Sequence, residues 1–419
     1  MRPASTAGEV PAGTAARQGD GMPIRRSIAL ALAPALLVVG CSGGPAPSAP
    51  RSAPVAPPTV ATAAGSPTPR ADLAELVRTG PAAGAWVGLN LDWGSETVAQ
   101  VTERLGRPPA TVVSFVPFPL DETASTNLDA AAGQARDVGA VLIVTLEPFD
   151  GLDAVTDDVA AGLARRLAAY GAAGTPTLVR FAHEMNGSWY PWGQDPEHYV
   201  PTFRRVAAAV HAGAPTAAML WAPNEGLGYP YAGERYDAPV GSTARTALDT
   251  TGDGKLDAAD DPYAPYWPGD DAVDWVGMSL YHWGTEWPWG ENEVPAAGKF
   301  AALLGGSAAP AGTRTPDFYA TWAEGHAKPL AIAETAAFYR PGTGGATERE
   351  IKLAWLEQAL DPAMLARYPR LRLVNWFEWR KVEPEVNDTV DWRITADPEL
   401  RAAFVRAASE AFTLGPAIR

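Results

Sequence analysis

Eight short runs rich in apolar, β-branched and aromatic residues constrain this fold more than any other feature of the chain: "WVGLNLDW" from Trp86, "TVVSFVPF" from Thr111, "AVLIVTLEPF" from Ala140, "TLVRFAHE" from Thr177, "AAMLWAPN" from Ala217, "DWVGMSLYHW" from Asp274, "PLAIAETA" from Pro329 and "RLVNWFEW" from Arg372. Runs of this length and composition read as buried strands. Most of the stretches between them have helical period, "DAVTDDVAAGLARRLAAYGAAG", "DPEHYVPTFRRVAAAVHAGA" and "ATEREIKLAWLEQALDP" among them. Strands that are apolar along nearly their whole length suit a parallel sheet covered on its outer face. Eight of them with intervening helices predict an α/β fold, a (β/α)8 TIM barrel.

Polar and aromatic residues gather at the C-terminal ends of these runs. Asn90, Asp92 and Trp93 end the first, Glu147 the third, His183 and Glu184 the fourth, and Asn224 and Glu225 the fifth. Tyr281, His282 and Trp283 end the sixth, Glu334 the seventh, and Trp376, Glu378 and Trp379 the eighth. Active sites of such barrels form at that face, so these groups are expected to converge on one cleft. The densest signal is "RFAHEMNGSWYPWG", Arg180 to Gly193, where a His and a Glu stand side by side ahead of Trp189, Tyr190 and Trp192. A buried strand end has no packing need for Glu184, and a solvated loop has none for three large rings so close together. The combination describes a carboxylic acid beside an aromatic-walled cleft. Sugar rings expose apolar C–H faces that Trp and Tyr can cover while polar groups bind the hydroxyls. Trp93, Trp189, Trp192, Trp283 and Trp376 are therefore the candidate platforms, with Trp287 and Trp289 as candidate outer subsites in the sixth loop; Trp86 and Trp355 read equally well as packing.

Glu184 and Glu334 are distant in the chain and can meet only through the fold. One Glu after the fourth strand and another after the seventh would equip a barrel for retaining glycoside hydrolysis. In that chemistry a protonated carboxyl donates to the leaving oxygen, and an ionised one about 5 to 5.5 Å away attacks the anomeric carbon. A single strand-end Glu is as readily a salt bridge or a helix cap. "RFAHEMNGSWYPWG", "WVGMSLYHWG", "LAIAETA" and "NWFEW", in this order, resemble glycoside hydrolase family 26, within the clan of retaining (β/α)8 glycosidases. The resemblance runs from Trp86 to about Arg401. It implies that Glu184 is the general acid/base and Glu334 the nucleophile, and that His183 orients substrate or bonds near the nucleophile. It further implies that Tyr281 holds the nucleophile carboxylate and that Trp189 and Trp376 are sugar platforms at the cleavage point. Trp93, Trp192, Asn224 and Trp283 complete the expected substrate-binding set. The resemblance implies an endo-acting enzyme with no catalytic cofactor, β-1,4-mannan as the first substrate class, and mixed-linkage β-glucan or β-1,3-xylan as alternatives.

The 419-residue chain carries 48 acidic against 33 basic residues, a formal charge of -15. That balance argues against nucleic acid or an anionic membrane surface as a partner. A neutral or weakly charged substrate fits better. A single Cys excludes an intrachain disulfide and a thiolate metal cluster. It is Cys41, at the end of "MPIRRSIALALAPALLVVGC", where Arg25 and Arg26 form a basic n-region and Ser27 to Val39 an apolar one. That run is shorter than the ~20 residues a bilayer span needs. Val38-Val39-Gly40-Cys41 resembles a lipobox, so residues 1–41 are expected to be a lipoprotein signal with Met22 as the true start and Cys41 as the lipidated residue. A plain secretory signal with an incidental Cys is the alternative. Either exports the protein, to the outer face of a bacterial cytoplasmic membrane or into the medium, with membrane contact only through a lipid anchor. Residues 42–71, rich in Pro, Ala and Ser, cannot bury enough surface to fold and read as an extended, disordered linker. Residues 72–419 read as the barrel domain.

"DTTGDGKLDAAD", residues 249–260, matches much of the twelve-residue EF-hand loop, with acids at positions 1, 5, 9 and 12 and Gly at 6. Asp249, Thr251, Asp253, the Lys255 carbonyl, Asp257 and Asp260 are the candidate ligands of a structural Ca2+. Thr at position 3, Asp rather than Glu at 12 and the lack of flanking helices are departures, for which Asp261 or a water could compensate; an acidic surface turn without an ion is the plain alternative. Two non-enzymatic readings also stand: a glycan-binding lipoprotein whose cleft no longer turns over, and a transporter's solute-binding protein. Intact Glu184 and Glu334 argue against the first, and one ring of eight strand-helix units against the second.

Overall fold

The computed structural model describes residues 70–233, 235–285, 289–308, 315–408 and 411–418. The signal, Cys41, nearly all of the linker and Trp287 lie outside the described residues. The first helix, α1 (Arg70–Thr79), begins within the last two residues read as linker.

Each of the eight runs is a strand: β1 (Ala85–Leu91), β2 (Thr111–Pro117), β3 (Val141–Glu147), β4 (Thr177–Phe181), β5 (Ala217–Trp221), β6 (Trp275–Ser279), β7 (Leu330–Thr335) and β8 (Leu371–Glu378). Neighbours pair in parallel around the ring, and β8 closes it onto β1 from Trp86↔Leu373 to Leu91↔Glu378. Side chains of a strand alternate between its two faces. On β3, accordingly, Val141 and Ile143 join Trp86, Val113, Leu178, Leu220, Trp275 and Leu373 inside the barrel, while Leu142, Val144 and Leu146 face the surrounding helices. Crowding inside explains Gly88 on β1: a Cβ there would come within 1.8 Å of Thr111 Oγ1 and 2.1 Å of Asn375 Oδ1. Trp86 stacks on Trp275 at 6.3 Å, and Trp275 donates its indole N–H to the Val77 carbonyl, so α1 plugs the end of the barrel opposite the strand C-termini.

The helices α2 (Val98–Leu105), α3 (Glu122–Val138), α4 (Asp157–Ala173) and α5 (Pro196–Gly213) follow β1 to β4 in turn. Polar caps set their starts. Thr97 and Gln100 form a capping box, and Asp121, Thr156 and Asp195 each accept a backbone N–H of the first turn. After β5 and β6 the chain departs from the simple alternation, with only the short α6 (Thr243–Leu248) and α7 (Lys299–Leu304) plus 3-10 and π turns. Regularity returns with α8 (Glu348–Ala359), α9 (Pro362–Arg367) and α10 (Pro398–Ala407). A hairpin of β9 (Arg380–Glu383) and β10 (Asp388–Asp391) stands after β8, and β11 (Phe412–Thr413) pairs with the start of β1. None of the described helices is long and apolar enough to cross a membrane.

Candidate active site

The barrel brings the distant carboxylates together. One oxygen of Glu184, one of Glu334 and a ring nitrogen of His183 all lie within 4.8 Å of one another. Glu184 stands just past β4, in a turn where both Ala182 (φ 46) and Glu184 (φ 54) take the left-handed region. A non-glycine residue there costs roughly 1–3 kcal/mol and persists only when its surroundings hold it. The backbone N–H groups of Ala182 and Glu184 donate to Leu146 and Ala222, at the ends of β3 and β5, which hold it. Glu334 lies on β7, where the pairing with β6 slips between Met278 and Ser279. Such irregularities re-aim side chains at a barrel rim.

Three donors fix the pair. Arg180 Nη1 and Tyr281 Oη (2.7 Å) donate to the two oxygens of Glu334, and Trp189 Nε1 donates to Glu184 Oε2 at 2.9 Å. Arg180 Nη2 donates to Ser279 Oγ at 2.8 Å. Arg180 and Glu334 are both buried, and the guanidinium is the counter-charge of that carboxylate. Burial, and then the charge of Glu334, push Glu184 up to about 7, against the opposing pull of Arg180 and the Trp189 N–H. Burial and the charge of Arg180 hold His183 well below the usual histidine range. Its ring is neutral and its Nδ1 has no partner. Tyr281 is raised well above the usual phenol range, chiefly by burial and by Glu334, and so keeps the proton it donates. The site thus holds a carboxyl that retains its proton near neutrality beside a carboxylate fixed by an arginine and a phenol.

The remaining expected residues divide. Trp189, Trp93 and Trp283 are half-buried at the rim, with Trp93 donating to the Val113 carbonyl at 2.7 Å and Trp283 set edge-on to Trp392 at 4.9 Å. Asn224 is half-buried, its backbone paired with the Asn186 amide. Trp192 and Trp376 differ from expectation: at 0% and 1% exposure they offer no open ring. Each is turned inward by an indole N–H bond, to the His183 and Trp392 carbonyls respectively. They support the site from behind. Trp289 is half-buried.

Arg180 has a role that sequence reasoning had not assigned. Its signal is an Arg inside the apolar strand run "TLVRF", since a buried charge must find a partner. Glu378 shows the reverse, a strand-end acid that is structural. It is buried and accepts the backbone N–H groups of Ile394 and Thr395.

The acidic loop 249–260 has another geometry. Asp249 accepts the backbone N–H groups of Gly252 (2.7 Å), Asp253 (3.2 Å) and Gly254 (2.7 Å), and Asp260 accepts those of Thr251 (3.0 Å) and Asp257 (2.9 Å). Gly254, sixth in the loop, takes φ 84. Among the described residues, the one group of three acid or His ligand atoms within 4.8 Å is at the barrel mouth, not in this loop.

No family model matches the chain. Endoglucanase H of Acetivibrio thermocellus is 24% identical over 333 residues, 77% of this chain and 30% of that protein. Beta-1,3-xylanase TXYA of a Vibrio species is 24% identical over 296 residues, 68% of this chain and 50% of that protein. The chain thus spans half or less of the length of these curated relatives. Among solved structures, a Cellulomonas fimi endo-beta-1,4-mannanase double mutant aligns with TM-score 0.51 and 17% identity, covering 82% of this chain and 74% of that one. GH26C from a Muricauda species aligns with TM-score 0.50 and 16% identity, covering 84% and 92%. At these identities the structural likeness establishes the barrel fold.

Proposed function

We propose that this chain is a retaining, endo-acting β-glycoside hydrolase of the family 26 type that cuts β-1,4-mannan. The observation that carries the reading is the approach of the Glu184 and Glu334 oxygens to within 4.8 Å at the ends of β4 and β7, close enough for the second carboxyl to act as nucleophile rather than to leave room for a water. Glu334, held by Arg180 and Tyr281, attacks the anomeric carbon while Glu184 gives its proton to the leaving oxygen. Glu184 then takes a proton from water, whose oxygen displaces Glu334 from the same carbon and restores the starting configuration. The Trp189 indole aims the acid, and the exposed parts of Trp189, Trp93 and Trp283 are available to sugar rings.

A second substrate reading, mixed-linkage β-glucan or β-1,3-xylan, is favoured by the names of the two curated relatives. Reducing-sugar release by the full chain from galactomannan, glucomannan, barley β-glucan and β-1,3-xylan decides between them, with proton NMR of the first-formed anomer reporting retention. Binding to one polymer without release from any would replace the enzyme by a glycan-binding protein.

The reading includes a structural Ca2+ held by Asp249, Asp253, Asp257, Asp260 and the Lys255 carbonyl, stiffening the connection between β5 and β6. The left-handed Gly254 at the sharp turn supports it; the acids would have to exchange backbone N–H partners for the ion. It also includes export on the signal at 1–41 with lipid on Cys41. Cys41→Ala should then move the protein from the membrane fraction to the soluble one.

A further inference from the structure

Three acids, not two, face the barrel mouth. Glu147 ends β3 in the inward-facing register that Val141 and Ile143 begin. It feels the charges of Glu334, Arg180 and Glu184, and the Tyr190 hydroxyl lies in the field of both Glu184 and Glu147. Its two acidic neighbours receive donors from Arg180, Tyr281 and Trp189, but its own carboxyl makes no hydrogen bond among the described residues. Neither nearby cation is free for it. Arg180 is paired with Glu334, and Lys381 with Glu383 at 3.1 Å.

Two residues further on, the chain turns back, with the Phe149 N–H on the Glu147 carbonyl at 2.9 Å. Phe149 is 51% exposed, the one aromatic among the large exposed apolar side chains described. Its ring meets the buried Trp192 edge-on at 5.3 Å, Trp192 stacks on Tyr190 at 4.4 Å, and Tyr190 lies 4.9 Å from the ring of His183. A row of rings therefore runs outward from His183 through half-buried Tyr190 and buried Trp192 to exposed Phe149. An exposed ring two residues along the chain from a half-buried carboxyl with spare hydrogen-bonding capacity suits a pyranose, which has an apolar C–H face and a rim of hydroxyls.

We propose that Glu147 and Phe149 form a further sugar-binding subsite on the β3 side of the cleft, the carboxyl bonding a ring hydroxyl and the phenyl ring covering the sugar's C–H face. The subsite rests on the glycosidase reading and deepens it. Burial, then the charge of Glu334, push Glu147 up to about 8, so near neutrality its carboxyl donates as well as accepts.

The test uses the full chain carrying Glu184→Gln, titrated calorimetrically with mannohexaose, a mixed-linkage β-glucan hexasaccharide and β-1,3-xylohexaose. The titrations are repeated with Glu147→Ala, Glu147→Gln or Phe149→Ala added. For whichever sugar binds, Glu147→Ala and Phe149→Ala should each weaken affinity about tenfold, the scale of one lost hydrogen bond or ring contact. Glu147→Gln, which keeps a donor and an acceptor, should recover most of it. Unchanged affinity in both alanine variants overturns the subsite and leaves the glycosidase standing. No binding of any of the three by the parent chain, with no sugar release by the wild type, overturns both. If Glu147→Ala does not fold, Phe149→Ala, whose ring is half in water, decides alone.

Discussion

The barrel mouth and the loop 249–260 are both crowded with carboxylates, and they dispose of the like charge in different ways. At the mouth, Glu147, Glu184 and Glu334 share one buried guanidinium, Arg180, and few other donors. Burial and mutual repulsion then keep protons on Glu184 and Glu147, up to about 7 and about 8. In the loop the acids are turned onto backbone N–H groups in or near water. Burial is the largest single influence on Asp249 and pulls it upward, but the N–H groups of Gly254, Gly252 and Asp253 and the Thr251 hydroxyl together outweigh it and hold its carboxyl below the usual range. A cluster short of donors is poised for proton transfer, whereas one rich in donors makes a stable turn.

The largest expected break in this comparison is at the nucleophile. Glu334→Ala should lower kcat at least ~10⁴-fold, the scale seen when a covalent nucleophile is removed, while azide restores turnover as a glycosyl azide of inverted configuration. Undiminished activity would remove Glu334 from the mechanism. Arg180→Met should come next, because it strands a buried carboxylate. A loss of about 3–5 kcal/mol is expected, read as a lower denaturation midpoint, and an unaltered midpoint would mean that Glu334 needs no counter-charge.

Glu184→Gln should cost roughly 10²–10⁴-fold on polymer and far less on aryl glycosides with activated leaving groups. Equal losses on both would count against the acid. In the wild type, kcat/KM should fall as pH rises through about 7, where Glu184 gives up its proton. Stability should follow the same sign. Glu184 and Glu147 rise from the ordinary 4.5 to about 7 and about 8, so the folded state binds more protons across that window. Their contribution is complete below pH 4.5 and is lost as pH climbs towards 8. Asp249 has the opposite slope, its contribution being present above the ordinary 3.8 and lost as acid is added. Thermal melts of Glu147→Gln and Asp249→Asn against pH would separate the two limbs.

The smallest expected effect belongs to the loop. A calcium chelator should lower the melting temperature by a few degrees, equivalent to about 1 kcal/mol, before it changes turnover. An identical melting curve with and without chelator would leave 249–260 as a capped acidic turn.

Much of this arrangement is legible residue by residue. The eight strands lie within a few residues of their apolar runs, because burial on both faces leaves a continuous local pattern. Glu184 and Glu334 are legible from the motifs that carry them, "RFAHEMNGSWYPWG" and "LAIAETA"; a strand-end position alone does not single them out, since Glu378 has one and is structural. The hairpin of β9 and β10 is not legible, since "RKVEPEVNDTVDW" has too little alternation to announce two strands. The Trp residues were the least legible. Trp192 and Trp189 stand three apart in one motif, yet the first is buried against the His183 carbonyl and the second reaches the acid. Composition cannot separate a wall from a platform, because both need a large flat ring.

The sequence by itself determined the barrel, the face on which the polar and aromatic residues gather, and the two acids proposed as acid/base and nucleophile. These follow from continuous apolar runs and from the residues at their ends, which are properties of neighbouring residues. Only the closed sheet decided that Arg180 meets Glu334, that Glu147 joins the acids without a hydrogen-bond donor of its own among the described residues, and that Phe149 rather than Trp192 is left open to water. Proton affinity and exposure depend on distances between groups far apart in the chain, and those distances exist only once β8 has paired with β1.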